Sequence, residues 1–186
     1  MKQEFTISLF SENHIGILSR ITLILTRRQI NIKSITASES AVPGVQMLTM
    51  VVRTTPEMVE KVARQIEKVV DVLKVFVHTS SEIICQEMAL YKVTTRGLMS
   101  GSMIGDIVRK HHARILEVTP EYIVVEKSGS GAEIKELLAL LKPCGVLQFV
   151  SSGRVAVTRQ VKELNAYLRE MDEARGARQE TLEFYN

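Results

Sequence analysis

Glu4-Phe5-Thr6-Ile7-Ser8-Leu9-Phe10, then Asn13-His14-Ile15-Gly16, then Ile17-Leu18-Ser19-Arg20-Ile21-Thr22-Leu23-Ile24-Leu25: this run decides the architecture. The first seven residues alternate polar and apolar, which places Phe5, Ile7 and Leu9 on one face of a strand. After Gly16 the apolar period changes to three and four (Ile17, Leu18, Ile21, Ile24, Leu25), so a helix runs to about Arg28, with basic Arg27 and Arg28 at its electronegative end.

Reading outward, a second strand begins at Asn31, Val42-Pro43-Gly44 turns the chain, and Val45 to Val52 forms a third strand. Thr55 caps a second helix that has Pro56 at its first position and Val59, Val62, Ala63, Ile66 and Val70 as its buried stripe. Val72 to Val77 supplies a fourth strand. The order β-α-β-β-α-β within one short stretch is that of the ferredoxin-like plait, an antiparallel four-stranded sheet with both helices on one face.

The order can be read again from Glu87, as a diverged repeat. It comprises a strand from Met88 to Thr94, a helix holding Ile104, Ile107 and Val108, and short strands at Ile115 to Val118 and Ile123 to Val125. A helix with Ile134, Leu137, Leu138 and Leu141 closes at Pro143, and a last strand covers Val146 to Val150. The fold class is therefore α+β, two plaits in series, with domains at 1–78 and 83–158 joined near His78-Thr79-Ser80-Ser81. A tail at 159–186 carries Val161, Leu164, Leu168 and Met171 as a narrow stripe on a charged helix, which fits either a partner surface or the chain's own domain.

Composition narrows the function. The 186 residues are 45% apolar with a net charge of +3, too apolar for a disordered chain. No apolar run reaches the roughly 20 residues a membrane helix needs, and Met1-Lys2-Gln3-Glu4-Phe5 is not the start of a secretory signal. Cys85 and Cys144 stand far apart beside apolar neighbours, as buried thiols rather than a metal pair or a disulfide framework, and the cytoplasm is the expected location. By segment, residues 1–80, 81–158 and 159–186 carry net charges of +3, +1 and −1, so no basic face concentrates for nucleic acid. Aromatic residues are only 5% of the chain and absent from Val45 to Val52, which removes the stacking platform of an RNA-binding plait.

Catalytic motifs are sparse. His111-His112 sits at a predicted helix end, where an acid–base role competes with simple helix termination. Ser128-Gly129-Ser130-Gly131 lacks the Lys-Ser/Thr ending of a phosphate loop and reads as a plain turn. The segment Asn13-His14-Ile15-Gly16-Ile17-Leu18 is more informative, because a strand-to-helix junction presents backbone N–H groups that bind carboxylates. Gly16 permits close approach or a positive φ, and the Asn13 amide both donates and accepts; a plain helix cap by Asn13 is the competing reading.

Phe10 to Ile21 followed by Asn31-Ile32-Lys33-Ser34-Ile35-Thr36 resembles the ACT domain of the regulatory small subunit of acetolactate synthase, also called acetohydroxyacid synthase. Val70 to Val75, Ile115 to Pro120 and Ser152 to Arg159 extend the resemblance over residues 3 to 159. It implies a subunit with no active site that binds and activates the catalytic subunit and confers feedback inhibition by valine, or by leucine or isoleucine. It implies an ACT homodimer with the amino acid at the interface: Asn13, His14, Ile15, Gly16, Ile17 and Leu18 from one copy, Asn31 and Ile32 from the other. No cofactor is expected on this chain; thiamine diphosphate, magnesium and FAD belong to the catalytic partner. Where the family has Arg-Gly-aromatic-Asn-Ile-Glu, this chain has Arg28-Gln29-Ile30-Asn31-Ile32-Lys33. The alternatives are a stand-alone amino-acid-sensing ACT protein and a small enzyme using His111 or His112.

Overall fold

The computed structural model describes residues 1–95 and 103–159. The chain divides into two compact units, one built on Met1–Ile84 and joined again by the chain from Val157, the other Cys85–Ala156.

In the first unit the elements are β1 (Gln3–Glu12), α1 (Ile17–Arg27), β2 (Ile32–Glu39), β3 (Val45–Thr54), α2 (Pro56–Ile66) and β4 (Val72–His78). The strands lie in the order β2-β3-β1-β4, all neighbours antiparallel. Phe5, Ile7 and Leu9 of β1 and Leu48, Met50 and Val52 of β3 join Ile17, Ile21 and Leu25 of α1 and Val59, Val62, Ala63 and Ile66 of α2 in one apolar core. Each aliphatic side chain fully withdrawn from water there contributes about 1.5–3 kcal/mol. Val70 departs from the expected helical stripe: α2 stops at Ile66, and Val70 lies exposed in the turn before β4.

The second unit repeats the plan. Its elements are β5 (Ile83–Thr94), α3 (Met103–Lys110), β6 (Arg114–Val118), β7 (Tyr122–Gly129), α4 (Gly131–Leu141) and β8 (Val146–Ser151), with strand order β6-β7-β5-β8. That order maps onto β2-β3-β1-β4 strand for strand, so the diverged second half is a plait as well. Ala89, Tyr91 and Val93 of β5 pack with Ile104 and Val108 of α3 and with Ile134, Leu137 and Leu141 of α4. Tyr91 is fully buried; its hydroxyl donates to the Ile134 carbonyl at 2.8 Å, and burial pushes its pKa up to about 12.

A ninth strand, β9 (Val155–Thr158), pairs with β5 and was not expected from the sequence. Arg159 then donates through its backbone N–H to Glu82 and through Nε to the Ile83 carbonyl, at 2.8 and 3.2 Å. The tail stripe Val161, Leu164, Leu168 and Met171 lies outside the described residues.

Candidate functional site

Between β1 and α1 the chain makes a four-residue connection, and its backbone explains why the helix end stays open. The residue at the N-cap of α1 is Gly16, with φ 88°, and no side chain caps the helix. The capping role open to Asn13 is therefore not the one it fills; Asn13 sits three residues earlier and donates its backbone N–H to the Gly44 carbonyl at 3.2 Å. A Cβ at Gly16 would meet nothing within 4 Å, so glycine is required by the left-handed φ and not by crowding.

The Ile17 N–H reaches the His14 carbonyl, and the Arg20 N–H reaches the Gly16 carbonyl. Among the described residues no acceptor meets the N–H groups of Ile15, Gly16, Leu18 and Ser19. Unsatisfied donors at the positive end of a helix dipole are the standard means by which a protein holds a carboxylate without a charged side chain.

The expected wall residues divide. Ile15 is fully exposed at the loop tip and Leu18 partly exposed on the first turn, both available to an apolar ligand group. Ile17 is buried under α1 and belongs to the core, so its side chain is committed elsewhere. Asn31 and Ile32 lie at the other end of the sheet. Ile32 is level with Val52, and Val52 with Phe5, whereas Asn13 follows Glu12 at the far end of β1. At a strand rise of about 3.3 Å per residue, Asn13 and Asn31 of one chain stand roughly 25 Å apart. Asn31 lines an open groove of about 460 Å³ with Lys2, Gln3, Glu4, Lys33 and Arg53.

Three further residues shape the loop. Asp71, just before β4, takes a hydrogen bond from His14 Nδ1 at 3.0 Å on one carboxylate oxygen and pairs with Arg20 of α1 on the other. Its side chain is only 12% exposed, and the hydrogen bond from His14, with the Arg20 guanidinium beside it, holds its carboxyl below the usual range. The Glu12 N–H donates to the Asp71 carbonyl at 2.9 Å, which fixes the backbone at the start of the loop. Carboxylate oxygens of Glu12 and Asp71 and a His14 nitrogen lie within 4.8 Å of one another, a spacing a cation can use. The Arg20 guanidinium already supplies the positive charge there, so the group is self-contained as an ion-pair network.

Neither Asp71 nor Arg20 was a candidate from the sequence, because His14 and Asp71 are 57 positions apart and nothing local links them. Ser11 carried a readable signal: a hydroxyl interrupts the apolar series Phe5, Ile7, Leu9. It is completely buried at the base of the loop, and its Oγ has no hydrogen-bond partner among the described residues.

The other candidates take structural roles. His112 has φ 50° after α3, with the His112 N–H on the Arg109 carbonyl and the Ala113 N–H on the Val108 carbonyl, a Schellman termination. No hydrogen bond to either ring of the pair is seen among the described residues. Ser128 and Gly129 end β7, and Ser130 caps α4 in a reciprocal box with Glu133, so that segment is a helix start and not a plain turn. Cys144 is buried and its thiol pKa raised by burial, while Cys85 is only half-buried, short of the burial expected for both.

Two family models match the chain: an AHAS small subunit-like ACT domain over residues 7–74 and the small subunit of acetolactate synthase over 86–160. The chain is similar to the acetolactate synthase small subunit of Bacillus subtilis, 34% identical over 88% of this chain and 94% of that one. It is 30% identical to a probable acetolactate synthase small subunit of Methanothermobacter thermautotrophicus, over 82% and 91% of the two chains. The crystal structure of the acetolactate synthase small subunit from Thermotoga maritima superposes with a TM-score of 0.78 at 28% identity, over 85% of this chain and 98% of that one.

Proposed function

The chain belongs to the family of acetolactate synthase small subunits, and we propose that it binds and activates a catalytic acetolactate synthase subunit and makes it sensitive to a branched-chain amino acid held between two copies of the N-terminal unit. Thiamine diphosphate, magnesium and FAD are assigned to that catalytic partner.

The observation that carries the reading is the separation of the two halves of the site. The uncapped end of α1 and Asn13 stand at one end of the sheet, and Asn31 at the other. β2 is an edge strand, so its outer side lacks a ladder within this sheet. Antiparallel pairing of β2 with β2 of a second copy lays the Asn31 end of one chain beside the Glu39 end of the other. Glu39 is level with Gln46, and Gln46 with Ser11, two residues from Asn13. A two-fold dimer of this kind assembles two equal sites from loops that one chain keeps apart.

In each site the free N–H groups of Gly16, Leu18 and Ser19 receive the carboxylate, and the amide oxygens of Asn13 and Asn31 receive the ammonium. Ile15 and Leu18, with Ile32 of the second copy, enclose the aliphatic side chain. The effector shifts the catalytic rate only by as much as it favours one arrangement of the subunits over another.

Mixing the purified chain with a catalytic acetolactate synthase subunit, with and without valine, leucine or isoleucine, tests the whole reading. Association, a raised rate and suppression by one of the three support it. No association and no change in rate overturn it. Titration calorimetry tests the site: Asn13→Ala weakens binding by about 1–3 kcal/mol, through a ligand polar group left unpaired, and an unchanged affinity removes Asn13 from the site.

A further inference from the structure

Three strands of the first sheet come together around the open groove of about 460 Å³, and the charged side chains they bring there are mostly cationic. Lys2 and Gln3 stand at the start of β1, Arg53 is one residue from the end of β3, and Asn31 and Lys33 flank the first residue of β2. The ladder explains the grouping. Glu4 is level with Arg53 and Ile32 with Val52, whereas the β2–β3 register shifts between Ile32 and Ser34 and skips Lys33. Lys33 Nζ reaches across to Glu4 at 2.5 Å.

That ion pair occupies the one carboxylate of the lining. Lys2 and Arg53 are both exposed, and among the described residues neither has an acidic partner. Three cations against one carboxylate leave the groove with a local positive excess. No single segment of the sequence displays it, because the cations come from positions 2, 33 and 53. Lys33 also stands where the family pattern has Glu, so the excess belongs to this chain's own residues.

Charge and shape together select the class of ligand. An amino acid is neutral overall and leaves the excess in place, and a single carboxylate answers only part of it. A phosphate ester carries about −1.5 to −2 at neutral pH and matches it. Arginine presents a planar fork that fits phosphate oxygens, lysine adds point charge, and the Gln3 and Asn31 amides can donate to further oxygens. The volume lies in the range of small-metabolite sites.

We propose that this groove binds a phosphate-bearing small molecule, held by Arg53 and Lys2, with Lys33 kept in position by Glu4. The site rests on residues of one chain and stands whether or not a second copy pairs along β2. It holds its anion with charged side chains, where the proposed effector site uses backbone N–H groups. Asn31 belongs to both, so the test leaves it unaltered.

The test is titration calorimetry of pyrophosphate into the full-length chain at about 0.15 M salt, where charges more than about 8 Å away are largely screened. Binding at one site per chain is expected. Arg53→Ala weakens it by about tenfold or more, through loss of charge-assisted hydrogen bonds. Lys33→Glu, which restores the family residue, weakens it at least as much. Arg53→Lys keeps the charge without the fork and falls between the parent and Arg53→Ala. Arg64→Ala removes the same charge from an exposed position in the last turn of α2 and leaves the affinity unchanged. No binding to the parent chain overturns the proposal. Equal weakening in Arg53→Ala and Arg64→Ala means attraction by overall charge and overturns it as well. Citrate, whose charge sits on carboxylates, is expected to bind about tenfold more weakly than pyrophosphate; citrate binding as tightly overturns the assignment to phosphate.

Discussion

At the residue scale, two backbone positions with positive φ test the loop and the helix that follows it. Gly16 has φ 88° with open space where a Cβ would be, so Gly16→Ala costs about 1–2 kcal/mol from backbone strain alone. Chemical denaturation measures that loss, and an unchanged midpoint contradicts the strain argument. Gln29 is the converse. It holds φ 54° at the end of α1, where the Ile30 N–H closes back on the Leu25 carbonyl, and it stands where the family pattern has glycine. Gln29→Gly therefore stabilises the chain by about 0.5–1 kcal/mol by relieving the left-handed strain. Asp71 sets an acid limit. Its folded carboxyl pKa lies below the ordinary value because His14 and Arg20 favour the charged form. The stability this gives is present above the ordinary carboxylate pKa and is lost as pH falls through the depressed folded one. Denaturation midpoints measured from pH 5 down to pH 2 fall less steeply in Asp71→Asn than in the parent. Glu82 and Glu133, lowered by their bonds from Thr79 and Ser130, keep part of the acid sensitivity in that variant.

At the element scale, the helix starts divide into capped ends and an open one. α2 begins at Thr55, whose hydroxyl accepts from the Met58 N–H, with Pro56 next; α4 begins at Ser130 in a capping box with Glu133. α1 has neither device. Ser130→Ala removes the hydroxyl that accepts the Glu133 N–H and costs about 1 kcal/mol, read as a lower denaturation midpoint; no loss would mean the Glu133 carboxylate alone holds the helix start. Legibility followed the same division. Thr55 and Pro56 announce α2 through local chemistry, and period-two alternation from Phe5 to Leu9 announces β1. Ser130 and Glu133 were equally local, but the flanking glycines gave the stretch the composition of a turn. Val70 fits the period of α2, yet the helix ends at Ile66 because the chain must turn into β4. β9 escaped because it is four residues long and only Ala156 is buried, too short a run for alternation to register. The Asp71 contact to His14 and Arg20 was invisible for another reason: only the completed sheet brings β4 beside β1, and no local pattern encodes that meeting.

At the scale of the whole molecule, one plan is used twice, and the sequence Asn13-His14-Ile15-Gly16 between first strand and first helix belongs to the first unit alone. On the proposed reading, a single chain offers half of a zwitterion site at each end of that sheet. On the same reading, a second copy completes the site through the β2 edge, which ends the sheet in one chain. Ile35 lies at the middle of β2 and is partly exposed, so Ile35→Lys leaves the core intact but sets like charges near the two-fold axis. Sedimentation is expected to show the dimer weakened, and valine, leucine and isoleucine binding lost with it. A stricter experiment uses complementation. Asn13→Ala and Asn31→Ala each spoil both sites of a homodimer when one residue comes from each copy. Mixing the two variants and letting subunits exchange makes half the dimers mixed, and each mixed dimer holds one intact site beside one that lacks both amides. Calorimetry then recovers binding at parental affinity in about one quarter of all sites. If Asn13 and Asn31 acted on a ligand within the same chain, no subunit in the mixture would hold both residues and no binding would return. The same failure would follow if either residue lay outside the site, but then one single variant would bind normally before mixing. Parental affinity in a single variant, absence of recovery, and recovery of one quarter of the sites are therefore three separate readings of one titration series.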